Sequence, residues 1–300
     1  MLISLFLPIF LIAGMGALAA KLQWLRAGWH TGVTELTAKG LIPVLLFTST
    51  YRTGWPASVS WQLLCAFYLP LVTLFLFVAW LNKGREGGAG TALAATYSNT
   101  VFVGLPVLIH TLGPDSLQFA FPVIAFHSLA CFALYYLAGA TGSTGHRRLL
   151  RSLGNTLTNP IVMALFAGLA LNLGGIVLPG ALMHVLDLVA AATLPCALLS
   201  LGASLTVLRL ERWTQAMAVV LAKLIVLPLS VLVLSAFVFH VPLAARTVLV
   251  VLASCPVGVN AAFVIRADNK DTELVDSSIL LSSLACAATI PLWLWSLRLA

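Results

Sequence analysis

The chain has 300 residues, 61% of them hydrophobic and only 8% charged, where ordinary soluble domains carry about 25% charged residues. That composition excludes a soluble enzyme or binding domain and leaves an integral membrane protein. The formal net charge of +7 is then no signal for nucleic acid, because loop lysines and arginines set membrane topology.

A helical span needs about 20 mostly apolar residues. In chain order, ten segments qualify: 2–20, 33–50, 57–81, 89–110, 116–140, 153–173, 181–205, 213–238, 244–265 and 275–297. The first, LISLFLPIFLIAGMGALAA, has no basic residue before it and charges only after it. It reads as a first span with its N-terminus outside, not as a signal peptide. On that orientation the inner connections hold Lys21, Arg26, Lys83, Arg85, Arg147, Arg148, Arg151, Arg209, Arg212, Arg266 and Lys270, while the outer side holds Arg52, Arg246 and Arg298. This bias predicts ten spans with both termini outside. The most polar connection, TGSTGHRRLLRS (141–152), is the expected cytoplasmic linker between residues 1–140 and 153–300.

The two halves carry a weak repeat. Pro8 and Pro160, Gly16 and Gly168, Pro43 and Pro195, and Leu46 and Leu198 share one separation, with Pro106 and Pro256 a rough further pair. Five spans per half is odd, so the second half enters the membrane from the opposite side. That is an inverted repeat, a common plan for secondary transporters.

Spans four and nine are interrupted. TALAATYSNTVFVGLPVLIH (91–110) and LVVLASCPVGVNAAFVIR (249–266) each combine Gly, Pro and Asn inside an apolar run. Proline removes a donor and crowds the preceding turn. Freed backbone groups are tolerated at depth only where protein or a water-filled cavity satisfies them. One reading is a pair of ordinary proline kinks. The other is a pair of unwound, crossing helices whose ends line a substrate site and whose N-termini favour an anion. The second reading makes Asn99, Thr100, Gly104, Pro106, Cys255, Pro256, Gly258 and Asn260 the candidate substrate-binding residues. Pro43 and Pro195 read as scaffold kinks.

Two titratable groups lie deep. Lys223 is near the middle of span eight, where a charge is expensive and usually faces a protein interior or cavity. It joins the candidate site as an attractor for an anion or a participant in coupling, with a snorkelling lysine as the bland alternative. His127, in span five, is a candidate for proton coupling or a helix-packing hydrogen bond. Lys39 lies nearer an edge, four residues after Glu35, with which it can pair. No acidic residue is clearly at mid-depth, which argues against a cation exchanger, although a sodium site of carbonyls and hydroxyls stays open.

No chemistry of another kind is encoded. The five cysteines lack metal-ligand spacing. His184 and Asp187 are three apart with no second metal pair. HExxH, GxSxG, P-loop and dinucleotide fingerprints are missing from the sequence. The expectation is a non-enzyme without metal or cofactor.

Several stretches together resemble bacterial members of the auxin efflux carrier family. These are TNPIVMALFAGLALNLGG (158–175), LVAAATLPCALLSLGASL (188–205), YSNTVFVGLP (97–106), KLIVLP (223–228) and ASCPVGVNAAFV (253–264). The resemblance covers nearly the whole chain. It implies an all-α fold of ten helices in two inverted five-helix repeats, similar to the bile-acid-symporter fold. Helices 1, 2, 6 and 7 would form a scaffold, often a homodimer. Helices 3–5 and 8–10 would form a transport domain that moves like an elevator. The site would lie at the crossing of helices 4 and 9, with Asn99, Pro106, Pro256 and Asn260 carried over onto it and Lys223 beside it. Bacterial relatives are linked to small organic anions such as malate or malonate, and plant relatives to the auxin anion. Unlike many plant forms, this chain has only a short central linker, and Cys255 stands where a small Ala or Thr is expected. The alternatives are a sodium-coupled organic-anion symporter, a proton-coupled carrier, a channel, and a sensor that binds without flux.

Overall fold

The computed structural model describes residues 2–24, 28–53, 61–85, 87–138, 160–206, 210–267 and 272–299. The predicted linker 141–152, the start of the sixth span, and Arg26, Arg147, Arg148, Arg151, Arg209 and Lys270 lie outside them. The described residues are helical throughout apart from turns, short connections and one isolated β-bridge. Five helices are long and apolar enough to cross a membrane: Trp61–Leu81, Pro114–Ala138, Gly180–Leu205, Trp213–Val238 and Glu273–Leu297. Shorter or interrupted helices occupy the other predicted segments. Large apolar side chains such as Leu76, Phe77 and Phe237 stand exposed on these helices, which costs nothing against lipid tails.

Proline shapes three of the described helices in the same way. The π-helical turns Thr37–Leu41, Thr100–Gly104 and Ala222–Val226 each end two residues before a proline: Pro43, Pro106 and Pro228. A proline ring collides with the carbonyl four residues back and supplies no donor to it. One extra residue in the preceding turn re-aims that carbonyl, so the helix continues instead of breaking. The orphaned carbonyl before Pro228 belongs to Leu224, and Trp293 Nε1 donates to it at 2.9 Å.

The chain divides into two compact units. The first comprises Met1–Val59, Val101–Phe121 and Thr156–Val207. Within it Gly16 lies against the backbone of Leu199, where a Cβ would sit 2.0 Å from the Leu199 carbonyl oxygen. Gly168 lies in the same way against Phe47, at 2.6 Å. Small residues let membrane helices approach to backbone contact. Thr193 Oγ1 donates to the carbonyl of Leu41 at 3.0 Å, across a separation of 152 residues. Gly16 and Gly168, and Phe47 and Leu199, are separated by that same interval. At one end of the unit, Tyr51 OH bonds the Ile176 carbonyl and accepts from the Leu178 N–H, and Asn172 donates to the Tyr51 carbonyl. Arg52 pairs with Asp187 at 2.6 Å.

The second unit comprises Ser60–Thr100, Pro122–Asn155 and Leu208–Ala300. Its interior holds Ala92–Ala95 and Leu249–Ala253, all fully buried.

Candidate functional site

Both interrupted segments meet inside the second unit. The helix Gly88–Thr96 stops at Tyr97, which is extended (φ −76°, ψ 110°). The helix Leu243–Ser254 stops at Cys255, also extended (φ −60°, ψ 147°). Cys255 precedes Pro256, and the residue before a proline is driven out of the helical region. No proline follows Tyr97 directly. The break in the first half is held instead by its pairing with the second.

That pairing is a minimal antiparallel bridge between Ser98 and Val257. Asn99 N–H donates to the Pro256 carbonyl at 2.8 Å, and Gly258 N–H donates to the Tyr97 carbonyl at 3.0 Å. Two further donors are taken by side chains. Ser98 N–H donates to His127 Nε2 at 2.9 Å, and Val257 N–H donates to Ser282 Oγ at 2.9 Å. Buried backbone donors must find partners, and these four do.

A side-chain network surrounds the bridge. The Tyr97 ring stacks on His127 and on Phe132, with centroids 5.1 Å away in each case. Its hydroxyl bonds Ser128 Oγ at 2.9 Å and accepts from Asn260 Nδ2 at 3.4 Å. Asn260 is the first residue of the helix Asn260–Ala267. Gly258 allows this closeness: a Cβ there would fall 2.5 Å from Tyr97 Cε1. His127 is 1% exposed and accepts through Nε2, so its imidazole is neutral with the proton on Nδ1.

Lys223 is fully buried. Its Nζ donates to the carbonyl of Ala253 at 2.5 Å, in the last turn of Leu243–Ser254.

The second unit thus gathers Asn99, Thr100, His127, Lys223, Cys255, Pro256, Gly258 and Asn260. Asn99 and Thr100 are buried at the start of the π-helical turn, and Cys255 Sγ turns back to the Val251 carbonyl. Gly104 and Pro106 fall past the break, at the start of the helix Leu105–Leu112, within the first unit. Pro256 directly follows the break at Cys255, while Pro106 follows the widened turn Thr100–Gly104. The sequence reading also missed Tyr97, Ser98, Ser128 and Ser282. The shared Leu-Pro-Leu of spans three and eight, 69–71 and 227–229, was a signal that could have aligned the halves better. Lys39 pairs with Glu35 at 2.5 Å, as its spacing predicts. Asp187 is engaged by Arg52. Among the described residues, no group of three His, Cys, Asp or Glu side chains could hold a metal.

Comparison with known proteins agrees with this architecture. Residues 145–294 match the family described as membrane transport protein. An uncharacterized transporter of Methanothermobacter thermautotrophicus is 29% identical over 84% of this chain and 84% of its own length. A protein of Rhizobium meliloti, provisionally named malonate transporter, is 25% identical over 98% of this chain and 95% of its own. The uncharacterized transporter YfdV of Escherichia coli is 24% identical over 98% and 96%. The family and these relatives are transporters, not enzymes. An apolar, multi-pass helical chain with two unwound, buried segments paired to each other, and with this match, belongs to the membrane transport protein family, that of the auxin efflux carriers.

Proposed function

We propose that this protein carries small organic anions, mono- or dicarboxylates of the malonate kind, across the bacterial inner membrane by alternating access. The carrying observation is the pairing of Tyr97–Asn99 with Pro256–Gly258. Two helices are unwound at depth, at a cost that a purely structural pair of spans has no reason to bear. The anion binds beside this bridge. Asn260, at the N-terminus of its helix, and Asn99 orient it, and Thr100 lies alongside. The N-terminal dipole of Asn260–Ala267 and the buried charge of Lys223 offset the negative charge.

In this reading the chain has ten spans in two inverted halves, with both termini outside. Support comes from the equivalent contacts of Gly16 with Leu199 and Gly168 with Phe47, and from Thr193 touching its own counterpart Leu41. A residue in contact with its repeat mate lies on the axis relating the halves. The division into two units supports a scaffold of helices 1, 2, 6 and 7, here joined by Val101–Phe121, and a moving domain built on the rest. Elevator motion and a homodimeric scaffold complete the proposal. The relative named for malonate supports the cargo class.

The test is uptake by purified protein in proteoliposomes, with a panel of labelled mono- and dicarboxylates and imposed proton or sodium gradients. Saturable flux of one acid identifies cargo and coupling together. Binding without flux indicates a sensor, and sustained single-channel current indicates a channel; either result overturns the proposal.

A further inference from the structure

The break in span nine leaves more than donors to be satisfied. In an unbroken helix the carbonyls of Leu252, Ala253 and Ser254 would accept from residues 256, 257 and 258. Pro256 has no N–H. Val257 N–H is diverted to Ser282 Oγ, and Gly258 N–H to the Tyr97 carbonyl. Three successive carbonyls of the half-helix Leu243–Ser254 thus lose their helical donors at once. They form the negative pole of that helix, in a segment where Leu252, Ala253 and Ser254 are all 0% exposed. Bare carbonyls at such depth are costly, and hard oxygens in a row suit a cation.

A covalently attached cation reaches this pole. Lys223 Nζ takes the middle carbonyl, Ala253, at 2.5 Å. Among the described residues it makes no ion pair with a carboxylate. The Leu-Pro-Leu alignment places Cys65 at the corresponding point of span three, so the charge belongs to one half only.

We propose that Lys223 is a resident cation that fills the carbonyl pole of span nine, taking the place a solute monovalent cation would otherwise occupy. It is a positioning residue: it holds the half-helix end in its broken form and brings a fixed positive charge to the crossing. The proposal refines the carrier reading, since that charge then faces the anion site without a co-bound ion. Its test does not depend on transport.

Lys223→Ala deletes three methylenes and the ammonium, the shape of n-propylammonium. Thermal unfolding of the purified variant is measured with n-propylammonium, with 1-propanol as a neutral filler of similar shape, and with neither. The variant is expected to melt several degrees below wild type. Propylammonium should raise its midpoint saturably, propanol should not, and wild type should respond to neither. A variant indifferent to propylammonium overturns the proposal. So does equal rescue by propanol, which would mean that only volume was lost. Should the variant fail to accumulate, the wild-type melt still decides: saturable stabilisation of wild type by propylammonium means the pole is open to solute cations and Lys223 does not fill it. Loss of anion flux in a variant that melts normally would instead make Lys223 a direct substrate ligand, and would leave the carrier reading intact.

Discussion

Replacing Gly258 by alanine tests how tightly the crossing is built. The added Cβ would lie 2.5 Å from Tyr97 Cε1, 2.6 Å from Cδ1 and 3.3 Å from the Ser98 carbonyl oxygen. Ordinary contact begins near 3.4 Å, so the ring must retreat by about 1 Å. It has little room. His127 and Phe132 stack on it, and its hydroxyl is tied to Ser128 and Asn260. Overpacking of a filled interior costs about 1–3 kcal/mol. Moving Tyr97 also strains the Gly258–Tyr97 and Asn260–Tyr97 hydrogen bonds, each worth about 1 kcal/mol net. The expected loss is about 2–4 kcal/mol, read as a lowered midpoint of thermal unfolding in detergent, with reduced anion uptake at equal protein incorporation. Tyr97→Leu in the same chain should recover part of that loss, because the clash is with the ring; a double-mutant cycle isolates this coupling. Wild-type stability and uptake in Gly258→Ala would refute the packing argument. A loss that Tyr97→Leu leaves untouched would refute its attribution to Tyr97.

Ser282→Ala strands the buried Val257 N–H and should cost about 1–3 kcal/mol; Ser282→Thr keeps an acceptor and should melt closer to wild type. At His127 the acceptor matters more than the ring's charge: His127→Gln, which retains an oxygen able to reach the Ser98 N–H, should be more stable than His127→Ala in the same melt. Arg52→Ala should shift stability by less than about 1 kcal/mol, because its pair with Asp187 is exposed and such pairs contribute little.

Much of this architecture is written in local sequence. Apolar runs mark the helices, and a shared interval between Gly16 and Gly168 anticipates equivalent close contacts. The broken ninth segment is equally legible, since Pro256 acts directly on its neighbour Cys255. The fourth segment is not. Its proline, Pro106, lies in a helix smoothed by a widened turn, while the true break at Tyr97–Asn99 contains no proline. That break is imposed by a partner strand far away in sequence, so no local propensity announces it. Tyr97, Ser128 and Ser282 went unnoticed for a related reason. Hydroxyls are common in membrane helices, and only the fold shows that Ser282 faces a freed N–H and that the Tyr97 hydroxyl meets Ser128 and Asn260. The partner of Lys223 is a backbone carbonyl, which has no sequence signature at all.

The central claim is that the anion binds at the crossing, oriented by Asn260. It is tested most directly by equilibrium binding of the transported acid to purified wild type and to Asn260→Ala, with both shown to be folded by their thermal unfolding. The account predicts saturable binding to wild type and a loss of about tenfold or more in the variant, the worth of a hydrogen bond to a charged ligand. Equal affinity in the two proteins would place the anion elsewhere and contradict the account.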